Sequence, residues 1–156
     1  MIGNPLKRLE DAPLLRGAGR YVDDVKLRGA LAVAFVRSPH PHARILGIDA
    51  AAARALPGVH AVLAFADLAP ALAEPRLPRH PEAARQPPGS TPHVLAREEV
   101  AFVGEPVALV AARDRYVAED AAQRVEVRYE PLPPVADCRS ALEPGAPKAR
   151  LGFESN

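Results

Sequence analysis

The sequence is poor in the residues that staple or ligate. Cys138 is the one cysteine among 156 residues, so no internal disulfide can close and no thiolate cluster can hold zinc or an iron–sulfur centre. Tryptophan is absent, and neither sign of charge dominates: 20 Lys and Arg against 19 Asp and Glu leave a net charge of +1. That balance argues against a nucleic-acid binder carried by bulk basicity, against an acidic tail, and against membrane-surface binding by charge. Charged side chains also interrupt the chain too often for the roughly 18 continuous apolar residues of a membrane span. The first eight residues, Met1 to Arg8, lack the apolar segment and small-residue cleavage site of a secretory signal. A soluble, cytoplasmic protein is expected.

What the chain has in excess is proline, 18 residues, about 12% against an average near 5%. Seven of them lie between Pro70 and Pro92, where each ring removes a donor and biases its predecessor towards extended backbone. Residues 70–92 are therefore expected to form a long irregular loop, an excursion from one domain.

On the N-terminal side of that loop, residues 29–38 alternate the larger apolar side chains Leu31, Val33 and Phe35 with smaller ones, as a half-buried strand does. Ser38-Pro39-His40-Pro41 ends it. Ala43 to Asp49 reads as a second strand, Asp49 as the N-cap of a short alanine-rich helix stopped by Pro57-Gly58, and Val59 to Phe65 as a third strand. Beyond the loop, Val100 to Val103 and Val107 to Ala112 read as strands joined by a turn at Gly104-Glu105-Pro106. Asp114 opens a helix to Arg124, with Tyr116, Val117, Ala118, Ala121 and Ala122 expected on its packing face. Val125 to Glu130 alternates cleanly, with Val125, Val127 and Tyr129 on one side. The pattern predicts an α+β domain with two helices packed on a mixed sheet.

Candidate chemistry is sparse. His40 and His42 stand two apart and could supply two metal ligands on extended backbone, but no Glu, Asp or Cys lies at a companion spacing. Gly17-Ala18-Gly19 lacks the flanking strand, the helix and the third glycine of a phosphate-cradling loop. Ser38 and Cys138 have no base-and-orienter pattern around them. The adjacent carboxylates Asp23 and Asp24, Glu98 and Glu99, and Glu119 and Asp120 read as solvated faces, because neighbouring side chains diverge on regular backbone. From residues alone, the reading stops at an α+β domain without a self-contained active site.

Six segments carry a resemblance further: Arg8 to Asp11; Leu14 to Asp24; Phe35 to Ile45; Pro57-Gly58-Val59 with Asp67-Leu68; Val103 to Ala108; and Val127 to Pro133. In this order they resemble the N-terminal α/β-hammerhead domain of the molybdenum-containing large subunit of the xanthine dehydrogenase, aldehyde oxidase and carbon monoxide dehydrogenase family. The Gly-Glu-Pro turn is more similar to the bacterial multi-subunit branch. Pro41 departs from the pattern, since many relatives have a smaller residue there.

The resemblance implies an arm and turn at 1–28, a hammerhead core at 29–137 containing the loop 70–92, and a linker at 138–156 leading towards molybdopterin-binding domains absent from this chain. It implies no catalytic, cofactor or metal residue here. Molybdopterin, [2Fe–2S] clusters and FAD belong to the parent complex, whose molybdopterin-binding, iron–sulfur and possibly FAD parts would be the partners. Arg8, Glu10, Asp11, Leu14, Leu15, Arg16, Arg20 and Tyr21 become the expected interface, and Gly104, Glu105 and Pro106 a structural turn. The isolated chain is expected to be inactive. Two other functions stay open: a free-standing module binding a small ligand or protein on the same scaffold, and a small hydrolase or lyase using His40, His42 and a carboxylate.

Overall fold

The computed structural model describes residue 3 and residues 5–78, 90–153 and 156. It divides into two compact units, residues 1–30 and 31–156. The first contains the helix α1 (Asp11–Leu15) and a 3-10 turn at Val22–Asp24. Carboxylates hold its turns: Asp11 Oδ2 accepts from the backbone N–H of Arg8 at 3.2 Å, and Asp24 Oδ2 from that of Tyr21 at 2.9 Å.

The second unit contains strands β1 (Ala32–Arg37), β2 (Ala43–Asp49), β3 (Val59–Ala64), β4 (Glu99–Val100), β5 (Pro106–Ala112) and β6 (Glu126–Pro131). It also contains helices α2 (Ala51–Arg54), α3 (Phe65–Leu68) and α4 (Arg115–Ala122). The α+β class holds, but the strands form two three-stranded sheets rather than one mixed sheet. Their orders are β1-β5-β3 and β4-β2-β6, and every pairing is antiparallel. Successive strands alternate between the sheets, so each connection crosses from one to the other.

The first sheet corrects the expectation for β1. Val33 and Phe35 are 52% and 44% exposed, while Ala32, Ala34 and Val36 turn inward. The reason lies in α4, whose Ala118 and Ala121 are fully buried. Small side chains on the sheet's inner face, including Ala108 and Ala112 of β5, permit the helix to approach closely. The larger residues are left for the opposite face. Tyr116, expected on the packing stripe, is 80% exposed; two positions before Ala118 at about 100° each, it points away from the sheet.

Other boundaries shift for local reasons. Asp49 does not occupy the N-cap of α2, which is Ala50, yet its Oδ1 accepts from the N–H of Ala51 at 2.9 Å. β4 is two residues long, and Phe102 and Val103, expected in it, are exposed on the turn beyond. The expected loop 70–92 is not structureless at its base. Its described arms are zipped by an Arg76–His93 bridge and by Leu77 N–H to Pro92 O at 2.9 Å. Residues 79–89 lie outside the described residues.

The core has two clusters. Val62, Val110, Ala53, Ala121 and Val125 form one under α2 and α4; Ala43, Ala96, Val100 and Val107 form the other. Ile48 and Val127 pack against both and join the sheets.

Candidate functional site

Four of the polar residues singled out by sequence, Ser38, His42, Glu99 and Glu105, lie where the chain crosses between sheets. Residues 38–42 carry it from β1 to β2, and residues 101–105 from β4 to β5. The crossings are bonded to each other: Ser38 N–H donates to Glu105 O at 3.0 Å, Gly104 N–H to Ser38 O at 2.8 Å, and Arg37 Nη1 to Gly104 O at 2.8 Å. Gly104 has φ +88°, a conformation that side chains with a Cβ rarely adopt. Glu105 is buried, and its Oε2 accepts from the N–H of Ala101 at 2.6 Å.

His42 adds a second tie. Its side chain is 4% exposed, with Nδ1 3.0 Å from Pro133 O after β6 and Nε2 3.2 Å from Glu99 Oε2 on β4. Both ring nitrogens thus face oxygen atoms, one on the strand β4 and one beyond β6. Glu99 also accepts the N–H of Leu151 with both carboxylate oxygens, at 3.1 and 2.9 Å, fastening the C-terminal segment to β4. Its reading as a solvated carboxylate is therefore corrected. A side chain 57 residues from His42 along the chain leaves no local signal of that pairing.

The remaining polar groups of this cluster bond locally. Ser38 Oγ accepts from the N–H of His40 and donates to its carbonyl, both at 3.0 Å, which closes the turn after β1. His40 and His42 do not converge. The His40 ring stands edge-on to Tyr129, with centroids 4.9 Å apart. Burial raises the pKa of Tyr129 above the usual phenol value, and the Ser38 side chain offsets this only in part. Among the described residues, no three His, Cys, Asp or Glu side chains are placed to hold a metal ion.

Beside these crossings lies a cleft of about 350 Å³ lined by Arg44, Arg76, His93, Arg97, Glu99 and Arg150 among others. Arg97 pairs with Glu98 at 3.1 Å, and Arg150 Nη2 lies 4.0 Å from Glu105 Oε1. The pKa of His93 is held below its ordinary value, first by burial and then by Arg76, Arg97 and Arg150. None of these four had a sequence motif to mark it.

The expected interface residues lie in the N-terminal unit. Arg8, Glu10, Asp11, Leu14, Leu15, Arg16, Arg20 and Tyr21 are arranged by a helix and a turn rather than by a strand. Leu14 Cδ2 lies where a Cβ on Gly19 would be 2.8 Å away, so that leucine packs within its unit. Its neighbour Leu15 is 88% exposed.

Residues 16–133 match the family described as aldehyde oxidase and xanthine dehydrogenase, a/b hammerhead domain. The chain belongs to this family. The hammerhead domain is 51% identical over 149 residues to the carbon monoxide dehydrogenase large chain of Afipia carboxidovorans, covering 96% of this chain and 17% of that one. It is 41% identical over 145 residues to the nicotine 6-hydroxylase large subunit of Paenarthrobacter nicotinovorans, covering 93% of this chain and 17% of the relative. Among solved structures, quinoline 2-oxidoreductase from Pseudomonas putida 86 superposes with a TM-score of 0.83 at 43% identity, covering 99% of this chain and 19% of that one. The chain thus spans about a sixth of the length of the curated relatives it matches.

Proposed function

We propose that this hammerhead domain is a structural and assembly element of a bacterial molybdenum hydroxylase and carries no catalytic group of its own. The observation that most directly supports this is coverage: nearly the whole chain aligns with a sixth of large subunits of hydroxylating and carbon-monoxide-oxidising enzymes. The buried polar side chains Ser38, His42 and Glu105 fit the same reading, since their bonds tie chain crossings together.

The parent enzyme would carry molybdopterin, [2Fe–2S] clusters and FAD, with the molybdopterin-binding domains, an iron–sulfur subunit and an FAD subunit as partners in the cytoplasm. The residues here do not fit a cluster, because one exposed thiol, Cys138, cannot supply the ligands. The N-terminal unit is the proposed bridge, with Leu15 as an apolar contact and Arg8, Arg16 and Arg20 fixing register through charge-assisted bonds.

The test is co-expression with the remaining large-subunit polypeptide and the iron–sulfur subunit. The chain should co-purify with them, and deletion of residues 1–16 should abolish this while leaving its melting temperature nearly unchanged. Unaltered co-purification of the truncated chain would remove the bridge. Stoichiometric iron, molybdenum or FAD on the chain by itself would overturn the assembly reading.

A second reading, a free-standing ligand-binding module, is favoured by the cationic cleft at Arg76, Arg97 and Arg150. It requires saturable binding of a small anion such as phosphate in calorimetry on the chain alone, lost in Arg150→Ala.

A further inference from the structure

The first sheet has two apolar faces, of which α4 covers one. The β1–β5 and β5–β3 registers set Val33, Ala111 and Ala61 in one row across the sheet and Phe35, Leu109 and Leu63 in the next. Opposed residues share a face, so these six side chains form one surface on the side away from α4. None carries charge. The adjacent cation, Arg37, lies with its guanidinium carbon 5.4 Å from the Phe35 ring centroid and donates to Gly104 O, which holds it at the end of the row.

The second sheet differs. Its face away from the core presents Arg44 paired with Glu130 at 3.1 Å, along with Arg128 and Glu126. Strands that alternate apolar and charged residues suit a sheet wetted on one side, and strands apolar throughout suit a sheet covered on both. β5, Pro-Val-Ala-Leu-Val-Ala-Ala, is of the second kind.

We propose that the Val33–Phe35–Leu63–Leu109 face is covered by an apolar surface of the remaining large-subunit polypeptide. This rests on the assembly reading and adds to it a second contact, apart from the N-terminal unit. Two observations choose the occupant. Six side chains, two of them alanine, are far fewer than the roughly 20–30 residues a side of a stable interface between free partners, which disfavours a second copy of this domain. The relatives, by contrast, carry about five-sixths of their length beyond the matched region. A neighbour in the same polypeptide acts at high effective concentration, where a small apolar patch suffices.

The experiment uses the assembled enzyme with Cys138→Ser as background. Thiols introduced singly by Val33→Cys and Arg128→Cys are labelled with a maleimide, and p-benzoyl-phenylalanine replaces Phe35 in a separate preparation for photo-cross-linking. The thiol at position 33 should label at least roughly tenfold more slowly than that at position 128, the two becoming equal in denaturant, because access governs the rate. The adduct from position 35 should map to large-subunit peptides beyond this domain. Equal native labelling at the two positions would overturn the proposal. So would an adduct to a second copy of the domain, to residues 1–30 or to another subunit. An enzyme that assembles normally with position 33 reactive sinks this inference alone, whereas failure of the unmodified chain to assemble sinks the reading beneath it.

Discussion

The two sheets are joined through Ile48 and Val127, yet their outer faces are opposites. On β6 every second residue is charged, and the pattern Glu-Val-Arg-Tyr-Glu reports which side meets water. On β1 and β5 nothing is charged between Ala32 and Val36 or between Pro106 and Ala112, and on β1 only size alternates. Size is then read by the helix: α4, lined by alanines, selects the small-residue face and leaves the large one outside. Hydrophobic alternation therefore names the buried side of a strand only where the other side is polar. Where both sides are apolar, the closer-packing neighbour decides.

The sharpest way to break this distinction is to shave residues on each side of the first sheet. Val110 is fully buried between β1, β3 and α4, and Val110→Ala should cost about 2–3 kcal/mol from lost burial and the cavity left behind. Val33→Ala, on the outer face, should stay within about 0.5 kcal/mol. Denaturant midpoints of the two variants measure the contrast, and comparable losses would mean that the outer face already contributes to the domain's own core.

The crossings that join the sheets come next. Gly104→Val forces a β-branched residue to φ +88°, and although open space surrounds the position, backbone strain should cost about 1–3 kcal/mol. An unchanged melting curve would show that the turn relaxes without consequence. Much of this turn was legible in advance, because glycine and proline between two apolar runs demand a reversal. β2 was legible for the same reason, bounded by Pro41 and the Asp49 turn, and its limits Ala43–Asp49 match the expectation.

The alternation of strands between two sheets was not legible. It depends on pairings such as Ala43 with Val100 and Ala43 with Pro131, which no local pattern encodes. His42 and Glu99 illustrate the same limit at the level of a side chain. Each looked unpartnered at short range, and only the crossing geometry sets them 3.2 Å apart. Phe102-Val103 failed in the other direction: two apolar residues suggested strand, but the backbone there had already turned.

A smaller effect tests how firmly α4 holds the inner face. Asp114 caps the helix by accepting the N–H of Val117 at 2.9 Å, and that bond, more than the nearby Arg113, holds its carboxyl below the ordinary 3.8. A depressed carboxylate pKa stabilises the fold above the unfolded-state value, and that contribution is lost as pH falls through the folded one. Melting temperatures of the wild type and Asp114→Asn should therefore differ near pH ~6 and converge towards pH ~2. The amides of β1 and β5 should gain exchange before those of β2 and β6. Parallel curves at every pH would mean that the cap's charge is irrelevant to the sheet it covers.

The smallest effect is expected on the charged face. Arg44 and Glu130 are directly opposed in the β2–β6 register, with side chains about half exposed, so their attraction is weakened by water and by the entropy of holding two long side chains. Arg44→Ala should change stability by no more than about 0.5 kcal/mol, less still in high salt. Val33→Lys should be nearly as mild in this domain by itself, because neither outer face closes its core. The two substitutions should part only in the assembled enzyme. A lysine at position 33 would leave an unpaired charge beneath an apolar neighbour and weaken assembly, whereas loss of Arg44 would be tolerated. Equal tolerance in the assembled enzyme would show that the two faces, for all their difference in composition, meet the same solvent.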